Sequence, residues 1–308
     1  MQAEQVPLAG SAPAGPGGSI YDLGYQHYDG PRLGRRQAWA ALFSYSLRAA
    51  FGIGRGARAK VVPVGLLVIA FLPVVVALGV EAVLGELIRG EGFRPIRPDN
   101  YFEIIRSVLL LFCAAVAPEL VGRDLRNHVL TLYFTRALER WGYALAKLGA
   151  LTSALLLMAL GPEIVLFLGS SLVSSDPVGY LGAHLDEVGP MLASGLLSAL
   201  LIGAIALAIA SFTPRRAYAT GAIVAFFVIS SALGTFITTV GDRGVTKFGI
   251  LLSPFAVMDG FTRWLFGTAP TGALRRADLP GGLYVAVAIA YVVVGVALLL
   301  RRYETVDA

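Results

Sequence analysis

The residues of this chain that could do chemistry are concentrated in one stretch, Pro118 to Lys147, PELVGRDLRNHVLTLYFTRALERWGYALAK. It carries Arg123, Asp124, Arg126, Arg136, Glu139, Arg140 and Lys147 between two long apolar runs. Leu125, Val129, Leu132 and Tyr133 fall on one helical face, with Asp124, Arg126, Asn127 and Thr131 elsewhere on the wheel. That pattern predicts a short amphipathic helix lying along the membrane, its exposed side able to dock into a groove on a soluble partner. A second ionisable residue, Glu163, follows Gly161-Pro162 inside an apolar run. A charge deep in a bilayer costs ~3 kcal/mol on insertion scales, so it needs a reason. One reason is a substrate or ion path through Glu163. The other, which the count favours, is a place at the outer end of a shorter helix, since Glu163 lies about 20 residues beyond Tyr143, roughly 30 Å at the helical rise. Ser230 and Ser231, with Gly234 and Thr235, could line a passage; ordinary helix packing explains them equally well.

No catalytic constellation accompanies these residues. The sequence contains neither Gly-x-Ser-x-Gly nor His-Glu-x-x-His, and His27, His128 and His184 fall in different segments. The one cysteine, Cys113, sits in an apolar run and reads as a small buried hydrophobe. There is no Gly-Lys-Ser/Thr phosphate loop, so nucleotide energy, if it drives this chain, comes from another chain. Zinc and disulfide frameworks are excluded by the same count.

The elements that must position these residues are membrane helices. Of 308 residues, 56% are hydrophobic and 15% charged, with a mean hydropathy of +0.71, which is the composition of an integral membrane protein. A bilayer core of ~30 Å takes about 20 apolar residues of helix. Six runs qualify: 61–80, 102–121, 143–169, 191–212, 217–240 and 283–300. The second is weakest, because Glu103 and Arg106 leave only Ser107 to Val121 strictly apolar, so both are expected near the headgroups. In the fourth, Gly195, Ala199 and Gly203 allow close helix approach, within the chain in preference to a dimer seam.

Before the first run, Trp39, Leu42, Phe43, Leu47, Ala50 and Phe51 line one face opposite Arg36, Ser44 and Arg48, predicting an amphipathic helix in the headgroup layer. Residues 1–19 have no apolar core of signal-peptide length and read as a disordered tail. The net charge of +5 does not point to nucleic acid, because the basic residues stand beside apolar runs. Sixteen of the 25 Lys and Arg fall on one side of a six-span arrangement, in 1–60, 122–147, 215–216 and 301–302. Positive residues mark the retained side, which puts both termini in the cytoplasm. Residues 250–267, ILLSPFAVMDGFTRWLFG, are too apolar for a solvated loop and too interrupted to span. They are expected as short helices dipping into the outer leaflet or capping the bundle, against the alternative of a seventh span.

Glu119, Gly122, Arg123, Leu130, Leu132, Arg136 and the Arg140-x-x-Tyr143-x-x-x-Lys147 spacing resemble the membrane-spanning permease subunit of ABC-2 type transporters. The leader IYDLGYQHYDGPRLGRR resembles that of an actinobacterial-type branch of the same permeases. The resemblance implies an all-α integral membrane protein: a cytoplasmic tail (1–34), an amphipathic elbow helix (35–60), a six-helix domain (61–302) and a cytoplasmic end (303–308). It further implies a coupling helix in the 122–140 loop and short re-entrant helices between spans five and six. The ATPase-coupling residues would be Arg123, Asp124, Arg126, Tyr133, Arg136, Glu139 and Arg140, with a smaller contact at Pro214, Arg215 and Arg216. Two cytosolic ABC ATPase subunits would bind ATP and Mg, this chain holding no cofactor, and a second permease, identical or homologous, would complete an exporter in a bacterial plasma membrane. Other readings are an ATPase-independent carrier or channel using Glu163, a membrane enzyme, and a non-transporting anchor.

Overall fold

The computed structural model describes residues 30, 34–87, 94–127, 138–241 and 244–305. They are helical, with no strand among the described residues. An opening helix α1 (Arg35–Ala50) is followed by α2 (Ala57–Leu87), α3 (Pro98–Arg126) and α4 (Arg140–Val173). After a short α5 (Pro177–Ala183) come α6 (Leu185–Ser211) and α7 (Arg216–Val240). A 3₁₀ helix (Val245–Leu252), α8 (Pro254–Leu265) and α9 (Gly272–Ala277) lead to α10 (Gly281–Glu304).

Six of these helices, α2, α3, α4, α6, α7 and α10, are long and apolar enough to cross a membrane. Only a helix or closed barrel satisfies its backbone polar groups inside lipid, so apolar runs of this length become helices. Each is the expected run lengthened at one end or both, the fourth stopping one residue early at Ser211. Glycine and proline inside these helices do not end them; α4 passes through Pro162 unbroken.

The helices divide into an inner and an outer set. About 60% of the apolar window of α3, α4 and α6 is buried within the chain, against 22% for α2, α7 and α10. Small residues set the closest approaches. Gly195 and Gly203 of α6 lie against Leu160 and Thr152 of α4, so the small-residue face packs within the chain. Gly295 of α10 meets the backbone of Ala204 on α6, where an added Cβ would stand 3.0 Å from a backbone carbon. Between helices, hydroxyls reach backbone carbonyls: Tyr101 donates to Ala70 O of α2 at 3.2 Å, and Thr220 to Ala114 O of α3 at 2.8 Å. Such bonds give apolar helices a register that packing alone leaves loose.

The α1 helix buries Leu42, Ser46, Ala49 and Ala50, leaves Phe43 and Leu47 half-buried and Trp39 exposed, turns Arg36, Ser44 and Arg48 outward, and packs chiefly along α4. At the opposite end, residues 250–267 form no seventh span. Ser253 caps α8 by accepting from Ala256 N at 3.1 Å, Pro254 takes the first turn, and the helix stops after 12 residues. That length, ~18 Å, falls well short of a bilayer core.

Replacing Gly295 with leucine forces α10 off α6 at a contact made by backbone, which cannot yield by rotamer change. Gly295→Leu is expected to abolish a cooperative thermal transition in detergent, while leucine at Gly221, whose added Cβ meets nothing within 4 Å, is expected to leave it intact.

Candidate functional site

The ends of α3 and α4 meet α1 and the end of α10 at one end of the bundle, and charged groups hold them together. Lys147 Nζ of α4 lies 2.8 Å from Asp124 Oδ2 of α3, and the Tyr143 hydroxyl donates to the same oxygen at 2.7 Å. Lys147 is only 2% exposed. Tyr143 packs edge-on against Tyr303 of α10, ring centres 5.1 Å apart. Arg140 donates to the Glu304 carbonyl at 2.5 Å, Arg302 Nε to the Ser211 carbonyl at 3.3 Å, and Arg123 to the Tyr45 hydroxyl at 3.1 Å. Five helices, α1, α3, α4, α6 and α10, thereby share one polar knot.

The sequence places Asp124 among docking residues, and the structure turns it inward. α3 runs unbroken to Arg126, so the predicted break after Val121 does not occur, and the helical period carries Asp124 round to the interior side. Arg126 is exposed. Glu139 is half-exposed and pairs with Arg35 of α1 at 2.5 Å, while also accepting from the Trp141 indole. Tyr133 and Arg136 lie outside the described residues. The α6–α7 turn reaches this end too. Gly122 of α3 faces the Pro214 carbonyl, 3.5 Å from where a Cβ would stand, Arg215 lies over the Tyr218 ring, and Arg216 pairs with Glu119 at 2.9 Å. The two stretches proposed as contacts are therefore neighbours.

Lys147, Tyr303 and Tyr45 were not singled out as partners by sequence reading. A signal existed for Lys147: it stands at i+4 from Tyr143 and shares a helical face with Ala150, Leu151 and Ala154, all fully buried. Nothing local marks Tyr303 or Tyr45, whose roles come from tertiary packing.

Glu163 is not at a helix end. α4 continues ten residues beyond it to Val173, about 15 Å, and its side chain is 1% exposed with neither carboxyl oxygen hydrogen-bonded. The count from Tyr143 misled because it assumed a helix of bilayer-core length, whereas α4 runs 34 residues with Pro162 inside it. The structure does not gather Glu163 with Ser230 and Ser231. Ser230 back-bonds within α7 to Phe227 O, and Ser231 accepts from Ser253 at 3.0 Å.

Ser231 does line a cavity of about 420 Å³ at the α8 end, with Arg106, Asp259, Arg263 and Glu103. Arg106 Nη1 lies 3.1 Å from Asp259 Oδ2 and Arg263 Nη2 3.3 Å from Glu103 Oε2. The two charges that weaken the second apolar run are thus the groups that hold α8 onto α3. Among the described residues no three His, Cys, Asp or Glu side chains gather as a metal site. A scan against protein-family models and a search of curated proteins give no match to the chain.

Burial raises the Asp259 carboxyl to about 6 from an ordinary value near 3.8, against the pull of Arg106. The folded protein then takes this proton more readily than the unfolded one, so the ionised group is a cost that grows from about pH 4 to 6 and stays constant above. The stability of Asp259→Asn relative to the parent, read as thermal midpoint, is expected to rise across that window and level off. A difference independent of pH between 4 and 7 contradicts the assignment.

Proposed function

We propose that the chain is the permease subunit of an ABC-2 type transporter, an exporter driven by a separate pair of cytosolic ATPases. The observation that carries this reading is the knot at the α1 end. A push on the charged segment between α3 and α4 meets Asp124, Lys147 and Tyr143, and so reaches two of the inner helices directly. Mechanical coupling needs a surface charge strip joined rigidly to the helices it moves, and a chain without a phosphate loop needs that strip to receive energy from elsewhere.

In this reading α1 is the elbow helix, the 3₁₀ helix and α8 are re-entrant pieces on the outer side, and both termini face the cytoplasm of a bacterial cell. Arg123, Arg126, Tyr133, Arg136, Glu139 and Arg140 face the ATPase together with Pro214 and Arg215, while Arg216 turns to Glu119, and Asp124 transmits the movement in place of making the contact. ATP and Mg belong to the partner, and a second permease, identical or homologous, completes the pathway. The chain itself carries out no catalysis.

A carrier that needs no ATPase is the second reading, favoured by the unpartnered carboxyl of Glu163. Co-purification in mild detergent followed by identification of bound chains separates the two. We expect an ABC ATPase to accompany the wild-type chain and to be lost, or left uncoupled with flux at least ten-fold lower, in Arg126→Glu/Arg136→Glu. Flux by the chain alone under an ion gradient, abolished by Glu163→Gln, would establish the carrier instead.

A further inference from the structure

Where α2 begins, three arginines and one carboxylate line one recess. Glu119 of α3 accepts from Arg55 at 3.3 Å and lies 2.9 Å from Arg216 of α7. Arg58, exposed and without an ion pair among the described residues, lines the same recess of about 100 Å³. One carboxylate neutralises one guanidinium, so the mouth keeps two positive charges. Arg216 is 53% exposed, against 23% for Glu119. The open side of the cluster is therefore cationic.

This mouth opens onto a lateral groove between α2, α3 and α7. The groove has a volume of about 960 Å³ and shares Val62, Ala115 and Arg216 with the recess. Below Arg216 its walls are apolar, formed by Gly65, Ile69, Leu111, Gly221 and Val224. From Val61 to Ile69 it follows α2 for ~12 Å, most of the ~15 Å of one leaflet's hydrocarbon. Its flanks belong to outer helices, and Ile69 and Leu111 are half-exposed. The groove thus has the polarity of an amphiphile, cationic where a bilayer has headgroups and apolar where it has chains.

We infer that this groove binds one anionic phospholipid, its phosphate held by Arg58 and Arg216 and one acyl chain lying along α2 and α7. Guanidinium groups match phosphate geometry with paired N–H donors, and basic pockets between membrane helices are a recognised setting for acidic headgroups. Charge complementarity selects this occupant. A zwitterionic lipid would leave the two cationic charges unanswered, and a second copy of the chain docking here would have to bring acidic groups to the mouth. In the orientation proposed above the mouth faces the cytoplasmic leaflet. The same residues that orient the first span in the membrane would then hold a lipid against it.

The test titrates delipidated full-length chain in detergent with dioleoylphosphatidylglycerol or dioleoylphosphatidylcholine, counting bound lipid by native mass spectrometry. We expect the glycerol lipid to bind at least ten-fold tighter, and Arg58→Gln/Arg216→Gln to bring it to the choline lipid's level. Glu119 keeps Arg55 in that variant, so the fold has its ion pair, and an unchanged thermal midpoint checks this. Gly65→Leu/Gly221→Leu fills the groove from two positions whose added Cβ meets nothing within 4 Å. It is expected to cut lipid binding ten-fold and leave self-association unchanged. Equal binding of the two lipids by the wild type overturns the proposal. So does glycerophosphoglycerol competing as well as the whole lipid, which would mark a site for free anions. A groove variant that shifts the monomer–dimer balance without changing lipid binding would assign the groove to a second copy.

Discussion

The Asp124–Lys147 pair is the constraint on which the α1 end depends. With Lys147 buried and 2.8 Å from Asp124, whose side chain is only 12% exposed, each charge depends chiefly on the other. Removing one member of a buried pair typically costs ~3–5 kcal/mol, since the other is left uncompensated. That asymmetry fixes the ends of α3 and α4 relative to each other, and Tyr143 extends the constraint to Tyr303 and so to α10. A bundle whose outer helices are mostly apolar on their exposed faces could slide; the pair makes sliding expensive at this end.

The α8 end is held differently. Its pairs, Arg106 with Asp259 and Arg263 with Glu103, line a cavity and remain partly open. Pairs of this kind hold helices less firmly than the enclosed pair at the α1 end. The two ends therefore differ in the exposure of one partner of each pair, Arg106 at 38% and Glu103 at 48% against Lys147 at 2%.

Much of this was legible in the sequence, for physical reasons. Apolar runs of bilayer length have few alternatives to helix, and the interruptions in residues 250–267 mark that stretch as short helices. The apolar face of α1 needed only its period. The docking residues were harder, because a charge within a polar segment reads as exposed unless the preceding helix is known to continue. α3 runs five residues past Val121, and that extension is what carries Asp124 inside. Glu163 shows the same limit from the other direction, since only the structure reveals that α4 runs on to Val173 and leaves the residue well inside it. The lateral groove had no sequence signature, because Arg58, Glu119 and Arg216 come from three helices.

A double-mutant cycle on Asp124→Asn and Lys147→Met, read as unfolding free energy in detergent, tests the central claim most directly. Each single variant is expected to lose ~3–5 kcal/mol, and the double variant less than the sum by at least ~1 kcal/mol, because removing both charges leaves none unpaired. Additive losses would contradict the account, showing that the two residues do not hold the helix ends as a pair.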